Sequence, residues 1–98
     1  MMHIGALRVR LLVRQAQTLK DKRQVVRSIV DRLKNSFNVA AAEVASRDDP
    51  KLIVLGFTAV GEEAIAVKTI LEQVGNALRA HPVAEFIAAE TTDFSCEF

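Results

Sequence analysis

The sequence is poor in the residues that mark several protein classes. It holds one cysteine, four glycines and two prolines, which excludes an internal disulfide framework and a collagen-like or Gly/Pro-rich disordered chain. Tryptophan and tyrosine are absent, and five phenylalanines supply all of the aromatic residues. Of the 98 residues, 50% are hydrophobic and 26% are charged. We therefore expect one globular domain, residues 1–98, with a single core.

Long apolar runs are also missing. The longest strongly apolar run, residues 52–60, is far shorter than the ~20 residues that a membrane-spanning helix needs. Arg8, Arg10 and Arg14 interrupt the N-terminal apolar stretch, which is unlike the apolar region of a secretory signal. We expect no membrane partner. The lone Cys96 fits a reducing compartment, so the predicted location is cytoplasmic.

No residue pattern indicates catalysis, a metal site or a cofactor. Asp48-Asp49 and Glu62-Glu63 are adjacent pairs whose side chains diverge, and a turn and a helix start explain them. His3, His81 and Cys96 are far apart in sequence and lack the spacing of zinc ligands. The glycines form no phosphate-binding loop. The sequence predicts a non-enzymatic protein without a metal ion or cofactor.

Charge is divided unevenly along the chain. Residues 1–39 contain nine Lys/Arg and two Asp/Glu, whereas residues 40–98 contain four Lys/Arg and ten Asp/Glu. The net charge of +1 therefore hides a basic first part and an acidic second part. Such an asymmetry favours an anionic partner for the basic part. The alternative is that these cations are solvated or pair with the acidic part.

The hydrophobic period predicts the element order βαββαβ. Alternation over residues 4–13 predicts a strand, and Thr18 followed by Asp21 predicts the capping box of a helix. Two further strands are expected over residues 37–44 and 52–60, a helix opening at residues 61–63, and a last strand over residues 85–92. This order predicts an α+β, ferredoxin-like fold, a four-stranded antiparallel sheet with both helices on one face. The opposite face is expected to be open.

Two groups of cations form the predicted anion-binding site. Alternation places the first group on the open face of the first strand. The second group lies at the start of the first helix, where the helix dipole and unpaired N–H groups attract phosphate. One member of the second group, Lys22, also falls on the apolar stripe, which fits a side chain packed over the sheet edge equally well. The two groups are Arg8, Arg10 and Arg14, and Lys20, Lys22, Arg23 and Arg27.

Three segments of the chain are similar to the bacterial YlxP-like family. They are Leu7-Arg8-Val9-Arg10-Leu11, Thr18-Leu19-Lys20-Asp21-Lys22-Arg23 and the segment from Arg32-Leu33-Lys34 to Ala42-Glu43-Val44. The resemblance implies a small ferredoxin-like protein, and it offers no catalytic residues to transfer. Genes of that family commonly neighbour genes for translation initiation and ribosome maturation, which implies a role near RNA or the ribosome. The chain departs from the family pattern at Asp49-Pro50-Lys51-Leu52, where relatives usually carry an aromatic residue.

Two functional hypotheses stay open at this point. The first is an RNA- or ribosome-associated binding module that uses the basic helix start. The second is a self-associating interaction or regulatory domain, a homodimer or ligand-binding protein that uses the open sheet face. Two-fold packing of that face would bring basic rows together, so it requires Glu43, Glu85 or Glu90 opposite the arginines.

Overall fold

A computed structural model describes all 98 residues and confirms the ferredoxin-like prediction. Four strands form one antiparallel sheet in the order β2-β3-β1-β4. The two helices cover one face: α1 packs over β2, and α2 packs over β1 and β3. Neither helix combines the length and the apolar character needed to cross a bilayer. The elements are β1 Met2–Leu12, α1 Leu19–Ser36, β2 Ala40–Ala45, β3 Leu52–Gly61, α2 Ala64–Arg79 and β4 Glu85–Cys96.

The alternation in β1 separates a buried face from an exposed one. Leu7, Val9 and Leu11 are buried under the helices, whereas Arg8 and Arg10 are exposed on the open face. β3 lies between β2 and β1, a central position that agrees with the apolar character of residues 52–60. The core therefore lies between the inner face of the two central strands and the helices. Its helical members are Ile29, Leu33, Val67, Leu71, Val74 and Leu78.

The capping box predicted for α1 is present. The Thr18 hydroxyl accepts a hydrogen bond from the Asp21 N–H at 3.2 Å, and the Asp21 carboxylate accepts one from the Thr18 N–H at 3.2 Å. The same carboxylate also accepts from the Gln17 N–H at 3.0 Å. These bonds satisfy backbone groups that the helix cannot pair internally, and they set where α1 begins.

The turn between β2 and β3 has a structural role that the sequence did not predict. Asp49 Oδ1 accepts hydrogen bonds from the N–H groups of Lys51 and Leu52 at 2.8 and 2.9 Å, and these bonds hold the pKa of Asp49 below its ordinary value. Lys51 Nζ donates to the carbonyl oxygens of Arg14 and Ala16, both at 2.7 Å. The turn is thereby tied to the connection between β1 and α1.

Several boundaries differ from the predicted ones. β1 spans Met2–Leu12 rather than residues 4–13, and β2 begins at Ala40 rather than at residue 37, because Phe37 caps the end of α1. Larger differences occur at the start of α2 and the end of β4. Gly61 still pairs with His3 at the end of β3, so α2 begins at Ala64 rather than at residues 61–63. β4 continues to Cys96, past the predicted end at residue 92, because β1 begins at Met2 and offers pairing partners along its whole length. Strand pairing across the sheet, which local sequence does not reveal, decides both boundaries.

Candidate anion-binding surface

The exposed side of α1 carries a row of cations. Spacings of three, four and seven residues place four of them on one side of the helix. All four are exposed, and none lies within 4.0 Å of a carboxylate oxygen. Asp31 is the one acidic residue on the same side, and it makes no ion pair either. We call these four residues the basic stripe: Lys20, Arg23, Arg27 and Lys34.

The first turn of α1 is already occupied by an anion of its own. Hydrogen bonds from the Gln17 N–H and then from Thr18 lower the pKa of Asp21, so its carboxylate remains charged at neutral pH. A negative group at a helix start interacts favourably with the positive end of the dipole. The helix start, where the sequence predicts a phosphate contact, therefore already holds a negative charge next to Lys20. The exposed cations of the basic stripe run from this first turn along the side of α1.

Lys22 does not belong to the accessible surface, and its assignment as a phosphate contact is wrong. Its side chain is 0% exposed, and Nζ donates to the carbonyl oxygens of Ser46, Arg47 and Leu52 at 2.7, 3.2 and 3.1 Å. A lysine ammonium has three protons, so Glu43 Oε2, at 3.0 Å, contributes a charge contact and no further hydrogen bond. Lys22 is a structural residue.

Two of the three predicted arginines of the first strand are paired within the chain. Glu90 lies opposite Arg8 in the β1–β4 register, and the two side chains form an ion pair at 2.5 Å. Arg14 lies beyond the end of β1 and pairs with Glu85 at 2.7 Å, a contact that raises the pKa of Arg14. All three arginines are exposed, and Arg10 alone among them has no ion-pair partner.

The two predicted groups of cations do not form one surface. Arg8 and Arg10 lie on the open face of the sheet, whereas α1 lies on the covered face. Sequence reasoning also missed a contact between α1 and the turn that follows β2. Arg47 is exposed, and its carbonyl oxygen lies 3.2 Å from Lys22 Nζ, so its backbone is held beside the first turn of α1. The sequence feature that could have predicted this contact is the position of Lys22, a cation on the apolar stripe of α1.

The open face carries a shallow cavity of about 630 Å³ at its centre. Small side chains from all four strands form its floor, including Ala6, Ala42 and Thr92, and the side chain of Val44 packs over Gly56 of β3. Larger apolar side chains stand exposed on the same face: Val44, Val60 and Phe94. No group of three or more His, Cys, Asp or Glu side chains is placed to hold a metal ion.

Comparisons with known proteins extend the sequence resemblance. A family model described as "Protein of unknown function (DUF503)" matches residues 4–91. The "Uncharacterized protein YlxP" of Bacillus subtilis (strain 168) is 30% identical over 71 residues, which cover 72% of this chain and 77% of that protein. Among solved structures, "De novo designed protein Foldit4" superposes with a TM-score of 0.54 over 99% of this chain and 100% of that one. Its identity is 12%, so this likeness concerns the fold alone.

Proposed function

This chain belongs to the DUF503 family, and from its geometry we propose that it is a non-enzymatic, RNA-associated binding module that contacts the RNA backbone through α1. One observation carries the proposal. The unpaired cations are concentrated on α1, whereas Arg8 and Arg14 are neutralised by Glu90 and Glu85. Exposed cations without acidic partners supply most of the attraction in non-specific binding to nucleic acids.

The basic stripe fits a phosphate backbone better than it fits base edges or base faces. Lys20, Arg23 and Arg27 follow each other at rises of about 4.5 and about 6 Å along the helix axis. Cations in such a row contact phosphates and position a protein on RNA, but they read no sequence. Readers of single-stranded RNA add exposed aromatic side chains on which bases stack, and no aromatic residue occurs in α1. We therefore propose binding through backbone charge and shape, of the kind that ribosomal RNA helices would support.

The test is fluorescence anisotropy with a labelled RNA hairpin and a labelled single strand at low and near-physiological salt. The double variant Arg23→Gln/Arg27→Gln removes two charges from the basic stripe. The matched control, Lys68→Gln/Arg79→Gln, removes two charges from α2, on a different part of the surface. Circular dichroism and a urea titration of each variant establish that it is folded.

We expect the wild-type protein to bind with an affinity that falls as salt rises. Each phosphate contact contributes a slope of about −0.7 to log K against log salt for a single strand, so the Arg23→Gln/Arg27→Gln variant should lose about 1.4 of the slope. The control should keep it. Absence of wild-type binding to either RNA at low salt would refute the proposal, and so would an equal loss in the two variants.

A second candidate function, a self-associating interaction domain, is favoured by the charges of the open face. Glu85 and Glu90 stand opposite arginines of their own chain, so two copies of this face could meet without a repulsive basic row. The apolar floor of the 630 Å³ cavity would then be covered. Thr58→Lys places a charge at the centre of the open face. If the protein associates through that face, this variant should dissociate the oligomer, and light scattering measures the change in mass.

A further inference from the structure

The two edges of the sheet are built differently. β2, at one edge, has six residues and a register irregularity between Glu43 and Ala45. Short and bulged edges resist pairing with another chain. β4, at the other edge, has 12 residues and pairs only with β1. Its outer side thus presents a long row of unpaired backbone N–H and C=O groups.

β4 lacks two of the features that normally protect an exposed edge, lysine and proline, since neither residue occurs in Glu85–Cys96. It carries three carboxylates, Glu85, Glu90 and Asp93, and each of them is paired within the chain. The one irregularity of β4, at Ile87, lies near its start, where the register with Arg10 and Leu11 shifts. Residues 88–96 then run without interruption against β1. This regular segment of nine residues is available to a further strand.

We propose that residues 88–96 of β4 pair antiparallel with the same segment of a second copy of this chain. A two-fold axis normal to the sheet keeps each side chain on its own face and requires one residue to lie on the axis, opposite itself. Thr92 is the midpoint of the segment, so an axis at Thr92 pairs all nine residues. The product is a continuous eight-stranded sheet with four helices on one side.

The charges of β4 support this register. With Thr92 on the axis, Glu90 lies opposite the second copy's Phe94, and Asp93 lies opposite the second copy's Thr91. No like charges face each other, which would be destabilising. An axis at Glu90 or at Asp93 would set two identical carboxylates face to face. Phe94, which is 52% exposed in the single chain, gains a cross-strand neighbour.

This inference does not depend on the proposed RNA contact. α1 packs over β2, at the opposite edge of the sheet from β4. In the pair, the two basic stripes lie on the same side of the sheet and at its two outer flanks. Neither stripe is covered, so either proposal can fail without the other.

Disulfide trapping tests the register directly. In Thr92→Cys/Cys96→Ser the two new thiols face each other at the axis, where antiparallel Cα atoms are about 4.5 to 5.5 Å apart, a separation that a disulfide can bridge. The matched control, Thr58→Cys/Cys96→Ser, places its thiol on β3 at the centre of the open face. We expect a crosslinked dimer under mild oxidation from the first variant only. We also expect wild-type protein to show twice the 10.8 kDa chain mass by light scattering.

Two results would overturn the proposal. A wild-type mass of 10.8 kDa at every concentration up to the millimolar range, with no crosslinking of either variant, would show that β4 stays unpaired. Efficient crosslinking of the Thr58→Cys variant, with none through position 92, would assign self-association to the open face instead. Thr92→Lys should convert the dimer to a folded monomer, because it places two ammonium groups on the axis. Since Thr92 also lies on the floor of the open-face cavity, Thr58→Lys is its control, and it should leave the β4 dimer intact.

Discussion

Lys22 Nζ lies 2.7 Å from the carbonyl oxygen of Ser46, the one non-glycine residue with a positive φ, at 56°. A left-handed conformation costs a non-glycine residue about 1 kcal/mol or more. A hydrogen bond from a charged donor is stronger than a neutral one, so the ammonium group offsets that strain. Lys22 thereby ties the first turn of α1 to the end of β2.

Replacing Lys22 should therefore destabilise the fold. In Lys22→Met three carbonyl oxygens lose their donor and Glu43, with a side chain 10% exposed, loses its counter-charge. Breaking a buried ion pair from one side costs about 3 to 5 kcal/mol, and urea unfolding should show a loss of that order. Lys20→Met, on the exposed side of the same helix, should change the unfolding free energy by less than about 0.5 kcal/mol. Equal effects of the two variants would contradict this account.

A double variant separates the loss of the pair from the loss of packing. Lys22→Met/Glu43→Leu removes both charges and leaves apolar groups of similar size. Because a buried ion pair contributes little relative to well-packed apolar residues, the double variant should recover part of the stability that Lys22→Met loses. A further loss instead would show that Glu43 stabilises the fold independently of Lys22.

Local patterns were sufficient to predict the elements and their order. The alternation of Leu7, Val9 and Leu11 predicted a half-buried strand, and Thr18 with Asp21 predicted the start of α1. These are signals within a few residues of the chain, where spacing maps directly onto a face or a cap. The same signals do not report what a cation contacts once the sheet is assembled.

The site was predicted less well because its charges meet partners that are distant in sequence. Arg8 faces Glu90 only through the register of β1 with β4. Lys22 donates to carbonyl oxygens of the β2–β3 turn and of Leu52, the first residue of β3, which are 24 or more residues away. Three of the four cations predicted on α1 are exposed in the basic stripe, since periodicity within one helix is a local property, whereas the fourth, Lys22, is buried. Its binding of RNA stays a prediction.

Two glycines should respond in opposite directions to replacement by alanine. A Cβ at Gly5 would lie 2.6 Å from Val67 Cγ1 and 2.8 Å from Leu71 Cδ1, so Gly5→Ala forces these buried side chains of α2 to shift. Overpacking of this kind costs about 1 to 3 kcal/mol. A Cβ at Gly75, inside α2, meets no atom within 4 Å, and Gly75→Ala should stabilise the protein by about 0.5 to 1 kcal/mol. Urea unfolding of both variants measures the difference, and a stabilising Gly5→Ala would contradict the close approach.

Stability should fall as the pH is lowered from 7.5 to 5.5, in part because of His81. Burial, and then the charge of Arg32, lower the pKa of His81 below its ordinary 6.5. His81 Nδ1 also accepts the N–H groups of Val83 and Ala84 at 3.2 and 3.0 Å, which requires that nitrogen to be unprotonated. Below pH 6.5 the unfolded chain therefore binds a proton that the folded chain does not, and the unfolding free energy decreases.

The variant His81→Asn isolates that contribution. Asparagine does not titrate, and its side-chain oxygen can accept the same N–H groups. His3 is present in both proteins, so its contribution cancels in the comparison. The aspartates with lowered pKa values titrate below 3.8, outside this pH range. Urea unfolding at pH 7.5 and 5.5 should show a smaller decrease for His81→Asn than for the wild type. An identical decrease in the two proteins would exclude His81 as its source.

Asp21 should weaken RNA binding while it stabilises α1. Its carboxylate lies in the first turn of α1, close enough to Lys20 to interact with its charge, and it remains charged because hydrogen bonds from Gln17 and Thr18 lower its pKa. Asp21→Asn keeps an oxygen that can accept one of those bonds but removes the charge. Two unit charges about 7 Å apart in water interact by about 0.6 kcal/mol, so anisotropy at low salt should show about threefold tighter binding.

The Asp21→Asn variant should also unfold at slightly lower urea concentration, because the capping box is weakened. Thr18→Ala weakens the cap without a change of charge and should leave RNA affinity unaltered. Unchanged or weaker binding by a folded Asp21→Asn variant would place the phosphates away from this end of α1.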